Sequence, residues 1–296
     1  LKKALILINA YSKLKSAMNQ PTRLKEELKK LGVEVDIRPN SIDTAMIIDG
    51  RPVSLLQDYD FVVYLDKDKY TSALLEKSGL RLFNRHEAVL ICDDKMDTHI
   101  RLTSQGINMP DTIPGLLCYD KDASVQEAKD RIKLIEERLG YPCVIKESYG
   151  SLGNKVYCAE NKDQLLILME KVKLKAHLFQ NMISTSRGRD VRIIVIGGKA
   201  ICGMERTSQS DFRSNIELGG RAKPFNMTQP FIEMAERVAH ILQLDYCGID
   251  LLFGENGEPI VCEVNSNAFF GAMESITGIN VAAIYAKHMY ETVYKV

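Results

Sequence analysis

Tryptophan is absent from the 296 residues, and the seven cysteines never fall at Cys-x-x-Cys spacing. An odd, scattered set excludes a disulfide scaffold or a thiolate zinc cluster, and it suits buried thiols in a reducing cytosol. The five histidines show no close ligand spacing, which argues against a transition-metal centre. No apolar run approaches a membrane span and no secretory leader is visible; Ala4-Leu-Ile-Leu-Ile8 is long enough only for a strand. Basic and acidic residues are equal at 39 each, so the zero net charge leaves no footprint for nucleic acid or a membrane surface. Three chemical signatures are missing as well. There is no Gly-x-Gly-x-x-Gly for a dinucleotide, no Gly-Lys-Ser/Thr to close a Walker loop, and no Gly-x-Ser-x-Gly nucleophile turn.

What remains is a globular composition, 45% apolar and 26% charged, with length for two or three domains. Residues 1–83 alternate strand and helix: a strand from Lys3, a helix over Pro21–Leu31, strands around Val35 and Phe61–Leu65, a helix over Lys69–Lys77 and a strand at Arg81–Phe83. Met46–Val53 reads as a small hairpin on Asp49-Gly50. The alternation predicts a parallel sheet with helices on both faces, an α/β unit acting as one wall of a cleft. Residues 84–180 form a second unit. It opens with one helix over 85–104 carrying Asp93-Asp94-Lys95, and Ser124-Val-Gln-Glu127 is a capping box before the next helix. Then follow the strand Cys143–Glu147, a glycine loop Ser148–Gly153 and the strand Val156–Ala159. Such a loop presents free backbone N–H groups to an anion, and Lys146 in a half-buried strand calls for one. Residues 181–296 form the third unit, with a hairpin over 190–206, a polar loop over 208–220 carrying Arg213 and Asn215, a Thr228-capped helix, a second hairpin and a closing helix from Asn280 that carries His288 as core-edge packing.

The second hairpin, Tyr246–Asn267, holds the strongest chemical signal. Asn256-Gly257 predicts a two-residue type I′ turn, and that register sets Asp250 opposite Glu263 and Gly248 opposite Asn265. Alternation then puts Asp250, Glu263 and Asn265 on one face with Leu252 and Val261; Leu251, Phe253, Cys262 and Val264 take the other. Facing carboxylates repel, so removing one should leave the fold intact or slightly firmer. Two carboxylates and an amide oxygen, without His or Cys, are donors for Mg²⁺.

Several stretches, in order, resemble the ATP-grasp superfamily, and in particular the RimK-type carboxylate–amine (alpha-L-glutamate) ligases. They are Lys95, Tyr141-Pro-Cys-Val-Ile-Lys146, Gly150-Ser151-x-Gly153, Gly188-Arg-Asp-Val-Arg192, Asp211-Phe-Arg-Ser-Asn215 with Gly219-Gly220, Gly248-Ile-Asp250 and Glu263-Val-Asn265. The resemblance covers 84–296 strongly; residues 1–83 match only in kind, as a Rossmann-like domain ahead of a two-subdomain ATP-grasp fold.

The resemblance implies roles. Lys95 and Lys146 are the nucleotide-binding lysines, and Gly150, Ser151 and Gly153 belong to a flexible loop over the phosphates. Gln180, Asn181, Met182 and Ile183 line the adenine, and Asp190 lies on the nucleotide side. Arg206, Arg213 and Asn215 stand near the transferred phosphate and the acid, and Asp250, Glu263 and Asn265 hold paired Mg²⁺ ions, with Mn²⁺ as a substitute. Two departures stand out: Asn181 where an acid is often found, and Ser266-Asn-Ala-Phe-Phe-Gly271 in place of a Ser-Pro-Gly-type run. The implied activity is ATP-dependent amide formation through an acyl phosphate, joining a glutamate-like amino acid to an amine or peptide, with a protein tail as another acceptor and homo-oligomers left open. A non-catalytic ATP-binding module and a small-metabolite kinase are the alternatives. The chemistry agrees with the residue types, because phosphoryl transfer needs positioning and charge neutralisation rather than a covalent nucleophile.

Overall fold

A computed structural model describes every residue except 13, 14, 42–44, 151, 152 and 296. The chain opens with β1 (Lys3–Ile8), α1 (Lys15–Lys30), β2 (Glu34–Pro39), the hairpin β3 (Met46–Ile48) and β4 (Arg51–Val53), β5 (Phe61–Leu65), α2 (Lys69–Lys77) and β6 (Leu82–Phe83). Strands β2-β1-β5-β6 form a parallel sheet in that order. Both faces are apolar, as a sheet covered on two sides requires. Ala4, Ile6, Phe61 and Val63 pack with Leu24 and Leu28 of α1, while Leu5, Leu7, Val62 and Tyr64 pack with Leu75 of α2. Helix α1 starts at Lys15 rather than at Pro21, and Pro21 lies inside it. Proline favours a first turn but does not dictate one; here the Thr22 hydroxyl donates to the Met18 carbonyl at 2.8 Å alongside it. The extension brings Gln20 into the helix.

Next come α3 (His86–Asp93), α4 (Lys95–Leu102), β7 (Thr112–Pro114), α5 (Lys129–Arg138), β8 (Cys143–Glu147), β9 (Val156–Ala159), α6 (Lys162–Val172) and β10 (His177–Asn181). The single helix expected over 85–104 is two. Asp94 is extended (φ −96°, ψ 109°), and its carboxylate accepts from the N–H groups of Met96 and Asp97. Aspartate is a strong N-cap, and here it restarts the helix at Lys95. The capping box forms on a 3₁₀ turn just ahead of α5. Strands β7-β10-β8-β9 make an antiparallel sheet whose apolar face packs on α5 and α6 through Cys143, Ile145, Phe179, Ile135 and Leu165.

The remainder is β11 (Arg189–Ile196), β12 (Lys199–Thr207), β13 (Arg221–Pro224), α7 (Gln229–Ile241), β14 (Tyr246–Phe253), β15 (Pro259–Asn265), α8 (Gly271–Thr277) and α9 (Val281–Tyr294). The antiparallel sheet runs β13-β12-β11-β14-β15. One face, with Val191, Ile193, Ile249 and Leu251, packs on Ala235 and Val238 of α7. The other face is divided. Ile194, Ile196, Met204 and Tyr246 join α1, α9 and the parallel sheet in one core. Asp190, Arg192, Arg206 and Asp250 follow the same alternation at the other end, where the face turns polar.

Asp250 stands opposite Glu263 and Gly248 opposite Asn265, as the spacing predicts, but two departures cancel to give that result. The turn is not two residues. Gly257 N–H donates to Gly254 O at 3.0 Å, Gly254 N–H to Glu258 O at 2.8 Å, and only Gly257, at φ +79°, is left-handed. This is a type I turn closed by a glycine bulge, the usual three-residue loop. It shifts the register by one, so that Leu251 faces Val261. A β-bulge at Cys262 shifts it back before Glu263. The bulge also corrects two side-chain assignments: Val261 joins the α7 core, and Cys262 turns to the cleft.

Candidate functional site

A cleft of about 740 Å³, open mouth included, lies between the two antiparallel sheets. Alternation along β8 sends Cys143 and Ile145 into the core and leaves Val144 and Lys146 lining the cleft. Lys146 is 6% exposed. Its nearest polar partner is the Cys262 thiol at 3.6 Å, and among the described residues no carboxylate lies within ion-pair distance of it. A buried ammonium without a counter-charge is costly unless a ligand supplies one.

Facing Lys146 across the cleft is a row of charges set directly opposite one another on adjacent strands. Asp190 pairs with Arg206, and Arg192 pairs with Asp250, which pairs in turn with Glu263. Arg206 donates to both oxygens of Asp190, at 2.8 and 2.6 Å, and approaches Asp250 at 2.9 Å. Arg192 grips Asp250 through two bonds of 2.7 Å. Burial would raise the Asp250 carboxyl, but the Arg192 and Arg206 charges overcome it and hold the group at about 2. Burial opposes the charge on Arg206 too, and the two aspartates more than offset it, so its affinity for the proton rises. Asp250 therefore already has cationic partners, contrary to the picture of two unrelieved carboxylates. Arg192 closed the Gly188–Arg192 stretch in the sequence but was given no role there, although Asp190 and Arg192 alternating with Val191 and Ile193 carried the signal.

Lys95, the first residue of α4, donates to Gly150 O at 2.7 Å and approaches Glu263 at 3.5 Å, tying the glycine loop to β15. The loop over 208–220 meets the same glycine loop from the other side. Arg213 is held by both oxygens of Asp211 and donates to Gly153 O at 2.6 Å, so it is not a free surface charge. Gly153 has φ +72°, and a Cβ there would lie 2.9 Å from Asn215 Oδ1, which explains the glycine twice over. Gln180, Asn181, Met182 and Ile183 line the cleft's far end. The Gln180 amide is committed elsewhere, donating to Thr112 Oγ1 at 2.9 Å and to His99 Nε2 at 3.0 Å. Burial, reinforced by the Lys146 charge, pushes His99 down to about 3, so its ring is neutral. Asn181 Oδ1 is buried without a partner.

Of the residues singled out in the sequence, Lys146, Gly153, Gln180, Asn181, Met182, Ile183, Asp190, Arg206, Arg213, Asn215, Asp250 and Glu263 line this one cleft. Lys95 lines a small cavity that shares Cys262 and Glu263 with it. Gly150 enters through its carbonyl, Asn265 ends β15 with its Nδ2 buried and unpaired, and Ser151 lies outside the described residues. Arg189, Phe212, Ser214 and Cys262 also line it.

No group of three His, Cys, Asp or Glu side chains suited to a metal occurs among the described residues. The oxygen set nonetheless fits Mg²⁺. Among the described residues Asp250 uses three of its roughly four acceptor positions and Glu263 has only the 3.5 Å contact with Lys95, whereas the orphaned Asn265 Nδ2 is a donor that awaits an acceptor and leaves metal ligation to the amide oxygen. Among the described residues no helix is long and apolar enough to cross a membrane.

A family model described as a RimK-like ATP-grasp domain matches residues 92–289. Beta-citrylglutamate synthase B of Danio rerio is 36% identical over 226 residues, 76% of this chain and 54% of that protein. The chain thus spans about half the length of that synthase. A probable alpha-L-glutamate ligase of Marinomonas sp. (strain MWYL1) is 31% identical over 290 residues, 92% of this chain and 91% of that one. Among solved structures, the D-alanine–D-alanine ligase of Bacillus anthracis complexed with ATP superposes with a TM-score of 0.74 at 18% identity, over 100% of this chain and 98% of that one. At that identity the likeness speaks for the fold alone.

Proposed function

Because the chain belongs to the RimK-like ATP-grasp family, we propose that it joins a carboxylic acid to an amine with ATP as the driving substrate, through an acyl phosphate. The observation that carries this reading is Lys146, a buried cation on the cleft wall with no carboxylate within reach among the described residues. A nucleotide's phosphates are the anion it lacks. Asn181 Oδ1, buried and unpaired at the cleft's far end, suits the exocyclic amine of an adenine. Lys95 and the Gly150–Gly153 loop take the phosphates, with Asp190 on the ribose side of the nucleotide.

The acid binds toward Arg206, Arg213 and Asn215. A carboxylate oxygen attacks the terminal phosphorus, the bond to ADP breaks, and an acyl phosphate forms; the amine then attacks the carbonyl and phosphate leaves. Arg213, forked on Asp211 and bonded to Gly153 O and Val156 O, keeps one Nη2 N–H to donate to the transferred group. The Asp190–Arg206–Asp250–Arg192 row holds its charges rigid, so they need no reorganisation as charge moves. Glu263, Asn265 and the remaining acceptor position of Asp250 would hold the Mg²⁺ ions, which neutralise phosphate charge when bound. Arg213 bridging to Gly153 O supports a lid that shields the acyl phosphate from water.

Glutamate figures in the names of both sequence relatives, so L-glutamate is the first substrate to try, as acid and as amine. ADP release against pairs of carboxylic acids, amino acids and dipeptides, with products identified by mass, tests the reading. An amide supports it; a phosphorylated acid or metabolite that accumulates alone indicates a kinase, and nucleotide binding with no product indicates a binding module.

A further inference from the structure

Another cavity, of about 740 Å³ with its mouth, lies on the α5–α6 side of the β7-β10-β8-β9 sheet. Along β10 the side chains of His177 and Phe179 face α5 and α6, while Gln180 faces the cleft that Lys146 lines. The sheet and its apolar core therefore separate the two cavities. We propose that this one is a second ligand site, for a small monocarboxylate with an apolar body, and that Arg131 takes the carboxylate.

The first observation is a charge. Arg131 lines the cavity half-buried, and among the described residues it has no hydrogen-bond or ion-pair partner. A helical chain offers it one, because Glu127 stands four residues earlier and such residues are neighbours on one face. Glu127 is committed elsewhere: it turns back to accept from Ser124 N–H at 3.4 Å and completes the capping box. The carboxylate that would have neutralised Arg131 is spent on the start of the helix, and it is itself exposed to water. Lys173, at the end of α6, is bound to Glu170 at 2.7 Å and donates to Ala123 O, which leaves it one N–H.

The second is the lining. Leu116, Leu117, Val125, Ala128 and Met169 supply an apolar wall, and Leu116 and Leu117 are 48% and 45% exposed at it. An apolar cavity with a few convergent polar groups is the form of a small-molecule site. One unpaired cation calls for one negative charge, and the leucine wall calls for a hydrocarbon body rather than a sugar or a nucleotide.

The third is rigidity. The crossing segment 115–124 is tied along its length: Gly115 N–H donates to His177 O at 2.8 Å and Cys118 N–H to Lys173 O at 2.9 Å, and just past it Val125 N–H donates to Glu170 at 3.0 Å. The His177 ring is fixed by its Nδ1–H, which donates to Lys175 O at 2.7 Å. Gly115 packs on that ring so closely that a Cβ would lie 2.3 Å from it. Walls held in this way cost little to order on binding.

The test follows 4-phenylbutyrate by calorimetry on the whole chain, with 4-phenylbutan-1-ol as the same body without the charge. Wild type is expected to bind one 4-phenylbutyrate per chain. Arg131→Gln is expected to weaken 4-phenylbutyrate about 10-fold or more, the worth of a hydrogen bond to a charged group, and to leave the alcohol unchanged. Ala128→Leu, which fills the cavity, is expected to weaken both compounds, while a non-hydrolysable ATP analogue with magnesium binds all three proteins alike. Circular dichroism confirms that the variants are folded. No binding at millimolar 4-phenylbutyrate, equal affinity in wild type and Arg131→Gln, or displacement of the compound by the ATP analogue would overturn the assignment. A dimer in sedimentation that Leu117→Asp dissociates, with no 4-phenylbutyrate bound, would overturn it as well and give the groove to a second copy of the chain.

Discussion

Replacing Asp250 by asparagine removes the charge that two buried guanidiniums share. Arg192 reaches it through bonds of 2.7 and 2.7 Å and Arg206 at 2.9 Å, and the carboxylate is 3% exposed. Facing-carboxylate repulsion alone would make the substitution harmless. The arginines reverse that sign, because asparagine leaves buried positive charge uncompensated. Breaking a buried pair from one side costs about 3–5 kcal/mol. Glu263→Gln loses one 3.5 Å contact at a partly open position, worth under about 1 kcal/mol. Urea unfolding of both variants should thus show a midpoint lowered by on the order of 1 M or more for Asp250→Asn and nearly unmoved for Glu263→Gln, while both lose magnesium-dependent turnover. The pH dependence supplies a second reading. A carboxyl held at about 2 when folded and about 3.9 when unfolded stabilises above the higher value and loses that contribution as pH falls through the lower. The stability gap between wild type and Asp250→Asn should therefore narrow between about pH 4 and pH 2. Equal stability of the two variants at pH 7, or a gap between wild type and Asp250→Asn as wide at pH 2 as at pH 7, would refute the reasoning.

Lys146→Met should leave the ligand-free protein as stable as wild type or more so, since a buried unpaired cation is removed, and should weaken binding of a non-hydrolysable ATP analogue by about 10-fold or more in calorimetry. Lys95→Ala should free the glycine loop from β15, seen as faster proteolysis near Gly150 and weaker analogue binding. Arg213→Lys keeps the charge and loses the fork on Asp211; ATP affinity should stay near wild type and turnover fall on the order of 10²-fold. Cleavage within 208–220 should slow when ATP analogue, magnesium and acid are all present, and unchanged cleavage would remove the lid role.

Much of this was legible because the deciding signals are local. The apolar neighbours of Lys146 marked it as a lysine in a half-buried strand in need of an anion, and β5, α2, β8 and β9 carry the bounds their apolar patterns predict. What the sequence hid is long-range. The partners of Asp250 come from strands 40 to 60 residues away, and only the sheet order makes Arg192 its neighbour. Breaks inside apolar periodicity were hidden too: Asp94 reads as one more helical residue until its side chain caps Met96 and Asp97. The Asp250–Glu263 pairing was right by compensation, since the longer turn and the Cys262 bulge each shift the register by one.

The most direct test follows oxygen. With the acid labelled with ¹⁸O in its carboxylate, attack on the terminal phosphorus carries one labelled oxygen into the acyl phosphate, and it leaves as phosphate when the amine attacks. The account predicts one ¹⁸O in the phosphate for each amide formed, with the label absent from ADP. Amide accompanied by unlabelled phosphate, or ADP released with no label transferred, would contradict it.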